Sequence, residues 1–387
     1  MRILIVHNLL WAHYKSVVFQ ALQTLVDEQQ DVSLLVLQIA RNERSRASLE
    51  IPAAENPPAY SYNYLLLFDA FLEDISLRRR SRVLLKRAKA YRPDVISLTG
   101  YYDPAQLLLL VWAKKNGIRV VMQNESTASD HPRKDWREQI KRWVFSQCDG
   151  FFCFGNQAAD YLIQLGVAPA KILVRKNAVD NHTLRSAYER ALPQRLSQQQ
   201  KLGLLPNNFV FVGRLIWQKN LPMLLNAFAD ACQQTPQSAT WGLILLGDGE
   251  LETSLRQQVN ALGITDKVTF LPSRPWFRVP EIMALGNALV LASRSETWGL
   301  VVNEAMVCGL PVIVSDRCGC AKDLIQDGAN GFTFNPDQPA ELTHHLLQFM
   351  DGSVDAERMG DVARQRIAPY APEAVAQEML DGFMKIT

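Results

Sequence analysis

Residues 208–222 have the sequence NFVFVGRLIWQKNLP, which runs from an apolar β-strand through a glycine into the start of a helix. Gly213 ends the strand and allows a ligand to approach the backbone closely. Arg214 and Lys219 follow five residues apart, so both cations can reach one anionic group at the carboxyl end of the strand. The alternative is a pair of solvated surface cations, which is the usual setting for such side chains.

On both sides of this stretch, short apolar runs alternate with segments of helical periodicity. Runs that are apolar on both faces predict strands of a parallel sheet covered by helices. The predicted strands are 2–6, 32–37, 94–98, 119–122, 208–212, 242–246, 267–270, 288–292 and 311–315, with early helices over 16–26 and 104–116. The predicted fold class is therefore α/β, with two Rossmann-like doubly wound domains facing across a cleft at the carboxyl ends of the strands.

The chain has 387 residues, too many for one ordinary core, which supports a division into two domains. We predict Rossmann-like domains over residues 1–180 and 207–370. Residues 181–206 include a polar run typical of a connector that can contain a short helix, and 371–387 form a predicted terminal helix.

Composition indicates a globular protein in a reducing compartment. Hydrophobic residues make up 48% and charged residues 21% of the chain, which argues against long disorder. We find no signal-peptide core and no apolar stretch long enough to span a bilayer, so we expect a cytoplasmic protein. The Cys-Gly-Cys of residues 318–320 has no second pair to complete a metal ligand set, and we predict no metal site.

Residues 295–306 form a second polar constellation after an apolar strand. Gly299 marks a turn, and the residues that follow are helical. The backbone amides near Gly299, Leu300 and Val301 would therefore form a helix N-terminus, which suits a phosphate group.

Two glutamates at different positions of this segment can contact the same ligand. Glu296 precedes the turn, and Glu304 lies farther along the helix among apolar neighbours, where a carboxylate needs a partner. The alternative for Glu304 is a structural cap or a salt bridge.

Four segments of the second half resemble, in order and in register, the donor-binding domain of glycosyltransferase family 4, which has the GT-B fold. They are VGRLIWQKN, LLGDGELETSLRQQVNALGITDKVTFLP, SETWGLVVNEAMVCGLPVIVSD and DGANGFTFNP, and the match as a whole covers about residues 208–336. The resemblance implies that Arg214 and Lys219 bind the diphosphate of a nucleotide sugar. It also implies that Glu304 binds the ribose and that Glu296 binds hydroxyls of the transferred sugar.

The donor-binding set that we predict combines the motifs with this resemblance. Its members are Gly213, Arg214, Lys219, Gly247, Glu296, Trp298, Gly299, Leu300, Val301 and Glu304. Gly247 either approaches the base or ribose, or it belongs to a strand-to-helix turn that Asp248 caps. The co-substrate is expected to be a UDP-sugar or a GDP-sugar, with no cofactor.

The chemistry requires positive charge at the diphosphate, which gains negative charge as the anomeric C–O bond breaks. Many transferases hold a metal there with an Asp-x-Asp pair, and this sequence contains no such pair. Arg214, Lys219 and helix amides can supply the same stabilisation, so we predict a metal-independent reaction.

The N-terminal half resembles the family in outline only. Relatives often have a glycine-rich loop after the first strand, but residues 7–15 read HNLLWAHYK without a glycine. Relatives often have a histidine where Glu125 stands here. The acceptor-side candidates are His13, Tyr14, Asn124 and Glu125. The catalytic candidates are Glu296, Glu125, Arg214 and Lys219. The alternative for Glu125 is a loop carboxylate paired with Arg133 or Lys134.

Residues 78–87 read RRRSRVLLKR and fall in a predicted helix with apolar residues opposite the cations. Such a helix can lie against an anionic membrane surface, or it can be an ordinary solvated face. Residues 1–180 hold 24 lysines and arginines against 18 acidic residues, which leaves room for an anionic lipid or acceptor. We expect no nucleic-acid partner.

These features together predict a retaining, metal-independent hexosyltransferase. The N-terminal domain would bind a glycan or lipid-linked acceptor, the C-terminal domain would bind the nucleotide sugar, and the terminal helix would return to the first domain. The resemblance implies retention and a role in bacterial surface polysaccharide or glycolipid synthesis. A sugar-nucleotide epimerase of the same fold and a non-catalytic partner subunit remain as alternatives.

Overall fold

A computed structural model describes residues 1–10, 12–44, 58–127 and 135–387. These residues fold into two compact units. The first comprises Met1–Val179 and Tyr370–Thr387, and the second comprises Asp180–Pro369. Within the described ranges, no helix has both the length and the apolar character needed to cross a membrane.

The first unit is built on a parallel sheet. Its strands in the described residues are β1 (Arg2–Leu9), β2 (Ser33–Asn42), β3 (Tyr64–Phe71), β4 (Val95–Leu98), β5 (Arg119–Asn124), β6 (Gly150–Cys153) and β7 (Ile172–Arg175). The order is β3-β2-β1-β4-β5-β6-β7, so the direction of the connections reverses between β1 and β4. This reversal is the topological switch point of the sheet.

Helices cover both faces of this sheet. They are α1 (His13–Asp27), α2 (Leu77–Tyr91), α3 (Pro104–Lys115), α4 (Asp135–Ser146) and α5 (Asn156–Gln164). Ile3 and Ile5 of β1 pack in one core with Phe19 of α1, whereas Leu4 and Val6 pack in the other core with α2 to α5. Because adjacent strand residues point to opposite faces, a strand that is covered on both sides needs apolar residues on both faces.

The second unit is built on another parallel sheet. Its strands are β8 (Asn207–Val212), β9 (Trp241–Leu246), β10 (Val268–Leu271), β11 (Ala288–Leu291), β12 (Val312–Ser315) and β13 (Gly331–Phe334). The order is β10-β9-β8-β11-β12-β13, and the connections reverse between β8 and β11. The ring of Phe209 in β8 anchors the packing, with its centroid 4.6 Å from that of Trp241 and 6.0 Å from that of Phe349.

The helices of the second unit run from α6 to α14. They are α6 (Asn181–Ala191), α7 (Arg195–Leu202), α8 (Leu221–Gln234), α9 (Glu252–Ala261), α10 (Val279–Met283), α11 (Leu300–Val307), α12 (Ala321–Leu324), α13 (Pro339–Met350) and α14 (Ala356–Ile367).

Residues 181–206 are not the connector that their composition suggests. They form α6 and α7 and belong to the second unit. The carboxylate of Asp180 caps α6 by accepting a hydrogen bond from the amide of Thr183 at 2.9 Å. Gln199 in the polar run is only 4% exposed, and its amide donates to the carbonyl groups of Pro206 and Leu285. Hydrogen bonding thus buries a polar side chain that composition assigns to solvent.

The last helix, α15 (Pro372–Ile386), packs on the first unit. Phe383 is fully buried, and its ring centroid lies 5.1 Å from that of Phe152 in β6. Lys176, just after β7, is joined to Glu378 of α15 by a 2.6 Å ion pair. The chain therefore returns to its first unit after completing the second.

The parallel α/β architecture is confirmed, but the sequence patterns did not predict four of the strands, which are β3, β6, β7 and β13. Three of them have only four residues. An apolar run of that length lacks the periodicity that separates a strand from a buried turn of helix.

Candidate active site

The principal candidate site lies where the second sheet switches direction. The loop after β8, residues 213–220, and the loop after β11, residues 292–299, adjoin at this point. The amide of Arg294 donates to the carbonyl oxygen of Gln218 at 2.8 Å, which ties one loop to the other. Ligands of open α/β sheets bind in the crevice at such a switch point.

Two glycines let the loops after β8 and β9 touch. A Cβ atom built on Gly247, whose φ is +142°, would lie 2.0 Å from the carbonyl oxygen of Gly213. Farther along, the amide of Leu215 donates to the carbonyl oxygen of Asp248 at 2.9 Å. The Asp248 carboxylate accepts from the amide of Ser273 and does not cap α9, so the capping alternative is wrong.

Lys219 and Glu296 form an ion pair between the two loops. Their side chains are 15% and 23% exposed, so the pair is partly shielded from water. A Cβ built on Gly213 would lie 3.5 Å from Cε of Lys219, which places the lysine stem against the backbone after β8. Arg214 is exposed at the start of the same loop. The structure thus joins two of the four predicted charged residues directly.

The N-terminus of α11 follows immediately. Gly299 has a φ of +94° and precedes Leu300 and Val301, which open the helix. The first amides of any α-helix have no partner within the helix. They carry the positive end of the helix dipole, which is favourable for phosphate.

Trp298, the residue before Gly299, is 4% exposed, and its indole N–H donates to Oδ1 of Asn303 at 2.8 Å. This hydrogen bond ties the segment before α11 to the helix. Glu304 lies on the same helix and is 3% exposed.

The segment after β12 supports the site through its backbone. The amide of Gly319 donates to the carbonyl oxygen of Glu296 at 2.9 Å, and the amide of Cys320 donates to that of Trp298 at 3.0 Å. A Cβ on Gly319 would lie 2.0 Å from the carbonyl oxygen of Thr297. The cysteines of this Cys-Gly-Cys segment suggested a question of metal binding, but it is the backbone of the segment that contacts Glu296. Among the described residues, no group of acidic, histidine or cysteine side chains could hold a metal ion.

A second charged pair lies in the first unit, at the carboxyl end of β5. Glu125 is joined to Lys15 of α1, with Nζ and Oε1 3.3 Å apart. The Lys15 side chain is 15% exposed, whereas that of Glu125 is 55% exposed. Sequence interpretation overlooked Lys15, whose partner is more than a hundred residues away. Arg133 and Lys134, the alternative partners, lie outside the described residues.

The other acceptor-side candidates lie on two different elements, α1 and β5. His13 and Tyr14 begin α1, with ring centroids 3.8 Å apart. Burial lowers the pKa of His13 to about 3, so its imidazole is neutral at pH 7. Asn124 is 2% exposed, and its amide donates to the carbonyl oxygens of Ser126 and Ala158. Asn124 therefore anchors the end of β5, and Glu125 is its exposed neighbour.

The basic helix predicted from residues 78–87 is α2. Arg80 is half-buried and forms a 2.9 Å ion pair with Asp103, so it joins α2 to the start of α3. The remaining cations of this segment are exposed: Arg78, Arg79, Arg82, Lys86 and Arg87.

Comparison with family models matches most of the chain. The model described as Glycosyltransferase Family 4 matches residues 16–182, and the model described as Glycosyl transferases group 1 matches residues 194–366. The division between the two matches follows the division between the two structural units.

Two curated relatives are about a quarter identical to this chain over the residues that align. A D-inositol 3-phosphate glycosyltransferase of Nocardia farcinica is 25% identical over 319 residues, which is 76% of this chain and 69% of the relative. An alpha-D-kanosaminyltransferase of Streptomyces kanamyceticus is 24% identical over 279 residues, covering 70% and 71% of the two chains.

Solved structures match the fold over the whole chain. A lipopolysaccharide outer core galactosyltransferase, WaaB, has a TM-score of 0.73 at 19% identity, with 100% of each chain covered. The Anabaena protein HepE, solved in complex with UDP, has a TM-score of 0.75 at 19% identity and the same coverage.

Proposed function

Because the chain belongs to glycosyltransferase family 4 and is an enzyme of the GT-B fold that transfers sugar from a nucleotide sugar, we propose that it is a retaining, metal-independent hexosyltransferase. Its acceptor is a glycan or a lipid-linked saccharide of bacterial surface polysaccharide or glycolipid synthesis. Similarity to a galactosyltransferase of the lipopolysaccharide outer core supports this class of acceptor.

The observation that carries the proposal is the Lys219–Glu296 pair beside the N-terminus of α11. In this assignment, the Lys219 ammonium and the exposed Arg214 guanidinium meet the diphosphate. The amides at Gly299, Leu300 and Val301 supply further positive potential. Such preorganised charge stabilises the departing diphosphate without a metal ion.

Glu296 and Glu304 have separate roles in this assignment. Glu296 is 23% exposed and accepts hydrogen bonds from hydroxyls of the transferred sugar, while Lys219 holds it in place. Glu304, buried on α11, accepts a hydrogen bond from the nucleotide ribose. Retention follows from attack on the face from which the diphosphate leaves, with a phosphate oxygen taking the acceptor proton.

The first unit provides the acceptor side of the proposal. The exposed carboxylate of Glu125 lies at the carboxyl end of β5, where it can orient an acceptor hydroxyl. The exposed cations of α2 suit peripheral contact with anionic lipid, since each cation near such a surface contributes about 1 kcal/mol.

The test compares nucleotide release by the wild type and by Lys219→Met. UDP- and GDP-sugars are offered with a panel of octyl glycosides, and the anomeric configuration of the product is read by NMR. We expect retention, and a loss of about 100- to 1,000-fold in kcat for the variant. Lys267→Met is the matched control, because Lys267 is also half-buried in the second unit but donates to a structural carbonyl, that of Ser238. Equal losses in both variants, or an inverted product, would contradict the assignment.

A further inference from the structure

Lys15 occupies an unfavourable position for a cation. It lies in the first turn of α1, where its amide donates to the carbonyl oxygen of Ala12 at 2.9 Å. Positive charge at a helix N-terminus opposes the helix dipole. The side chain is also only 15% exposed, and burial lowers the pKa of its ammonium group. Fold stability alone would favour an uncharged residue here.

Two groups nevertheless keep this cation in place. Its Nζ lies 3.3 Å from the centroid of the Phe154 ring, just after β6, and 3.3 Å from Oε1 of Glu125, just after β5. The ring face and the carboxylate both attract an ammonium group. Two loops at the carboxyl edge of the first sheet, after β5 and after β6, therefore meet the first turn of α1 at one lysine.

The exposures of the pair indicate which member can touch a substrate. Glu125 is 55% exposed, so its second carboxylate oxygen is available for a further hydrogen bond. Lys15 is largely enclosed.

We propose that Lys15 is a positioning residue that fixes the carboxylate of Glu125 at the edge of the first sheet, so that Glu125 can orient the acceptor hydroxyl. This inference rests on the proposed transferase function and adds a specificity element to its acceptor side. Lys15 acts through Glu125 and does not itself contact the acceptor.

A double-mutant cycle in the full chain tests this role. Lys15→Met keeps the aliphatic stem against Phe154 and removes the charge, and Glu125→Gln keeps the shape and removes the charge. Nucleotide release is measured with the octyl glycoside that the wild type uses best. Because a misplaced reacting group typically loses about 100-fold, we expect each single variant to lose about 10- to 100-fold in kcat/KM for the acceptor. In the Glu125→Gln background, Lys15→Met should change kcat/KM by less than about twofold.

Stability and donor binding separate positioning from folding. Lys15→Met should melt no lower than the wild type and bind UDP or GDP with unchanged affinity. The matched control is Lys114→Met, since Lys114 pairs with Asp149 at 2.8 Å before β6, at the opposite edge of the sheet. It should leave kcat/KM unchanged.

Each outcome bears on a different statement. Full activity of Lys15→Met in an active wild-type background overturns the positioning role alone. Independent, multiplicative losses in the double variant also overturn it, because Lys15 would then act without Glu125. If the wild type releases no nucleotide with any donor and acceptor, the proposed function fails and the role of Lys15 fails with it.

Discussion

Gly247→Ala is the most direct test of the idea that backbone contact between loops builds the donor site. The added Cβ would lie 2.0 Å from the carbonyl oxygen of Gly213, where ordinary contact begins at 3.4 Å. One of the two loops must therefore retreat by more than 1 Å. The loop that moves carries either Gly247 itself or the backbone leading to Arg214 and Lys219.

The size of the effect follows from that displacement. A shift of about 1 Å in a reacting constellation typically loses about 100-fold in rate, and we expect a loss of that order in kcat/KM for the donor. The φ of +142° at Gly247 adds a second penalty of about 1–3 kcal/mol for a residue with a side chain, which lowers the melting temperature.

The assay measures nucleotide release and UDP or GDP affinity at a temperature at which the protein is folded. Gly263→Ala is the control, because Gly263 also has a positive φ of +67° but has no atom within 4 Å of the added Cβ. It should lower stability slightly and leave donor affinity intact. Donor affinity and turnover in Gly247→Ala equal to those of the control would refute the reasoning.

Three further predictions concern metal, protons and lipid. Turnover should remain within about twofold of its starting value in EDTA, because the proposed site stabilises the diphosphate with cationic side chains and helix amides instead of a metal ion. Burial lowers the pKa of His7 from 6.5 to about 4. The folded state therefore resists protonation of His7 between those values, so the contribution of neutral His7 to stability is complete above pH 6.5 and falls by about 2 kcal/mol from pH 7 to pH 5. In His7→Gln, the difference in unfolding free energy between pH 7 and pH 5, measured by denaturant titration, should be smaller by that amount. The same difference as in the wild type would contradict the prediction. The wild type should sediment with phosphatidylglycerol vesicles, and the α2 variant R82E/K86E should not. The control R190E/K201E, which replaces two exposed cations of the second unit, should sediment like the wild type. Equal binding by the wild type and both variants would exclude α2 as the contact.

The candidate site of the second unit was more predictable from sequence than that of the first, because its residues lie in short, ordered segments. Lys219 follows β8 by a few residues, and Glu296 lies just before Gly299, the residue that precedes α11. Each segment has its own signature of strand, glycine and charge. That the two side chains pair follows from the strand order, which places β8 next to β11.

Lys15 lacked such a signature. A lysine early in a helix resembles a solvated surface residue, and only the sheet order brings it to Glu125 and Phe154. The role of Gly319 was likewise hidden, because what matters there is a backbone amide that reaches the carbonyl of Glu296. A backbone contact does not depend on the identity of the side chain, so the sequence indicates it only where the close approach requires a glycine.

The return of α15 to the first unit has a consequence for the order in which the protein matures during synthesis. The buried face of the first sheet that holds Ile3 and Phe152 also requires Phe383. A ribosome must therefore translate all of the second unit before the first can bury this face. The half of the protein that emerges first is completed last, and until then it exposes an apolar surface that a chaperone could hold.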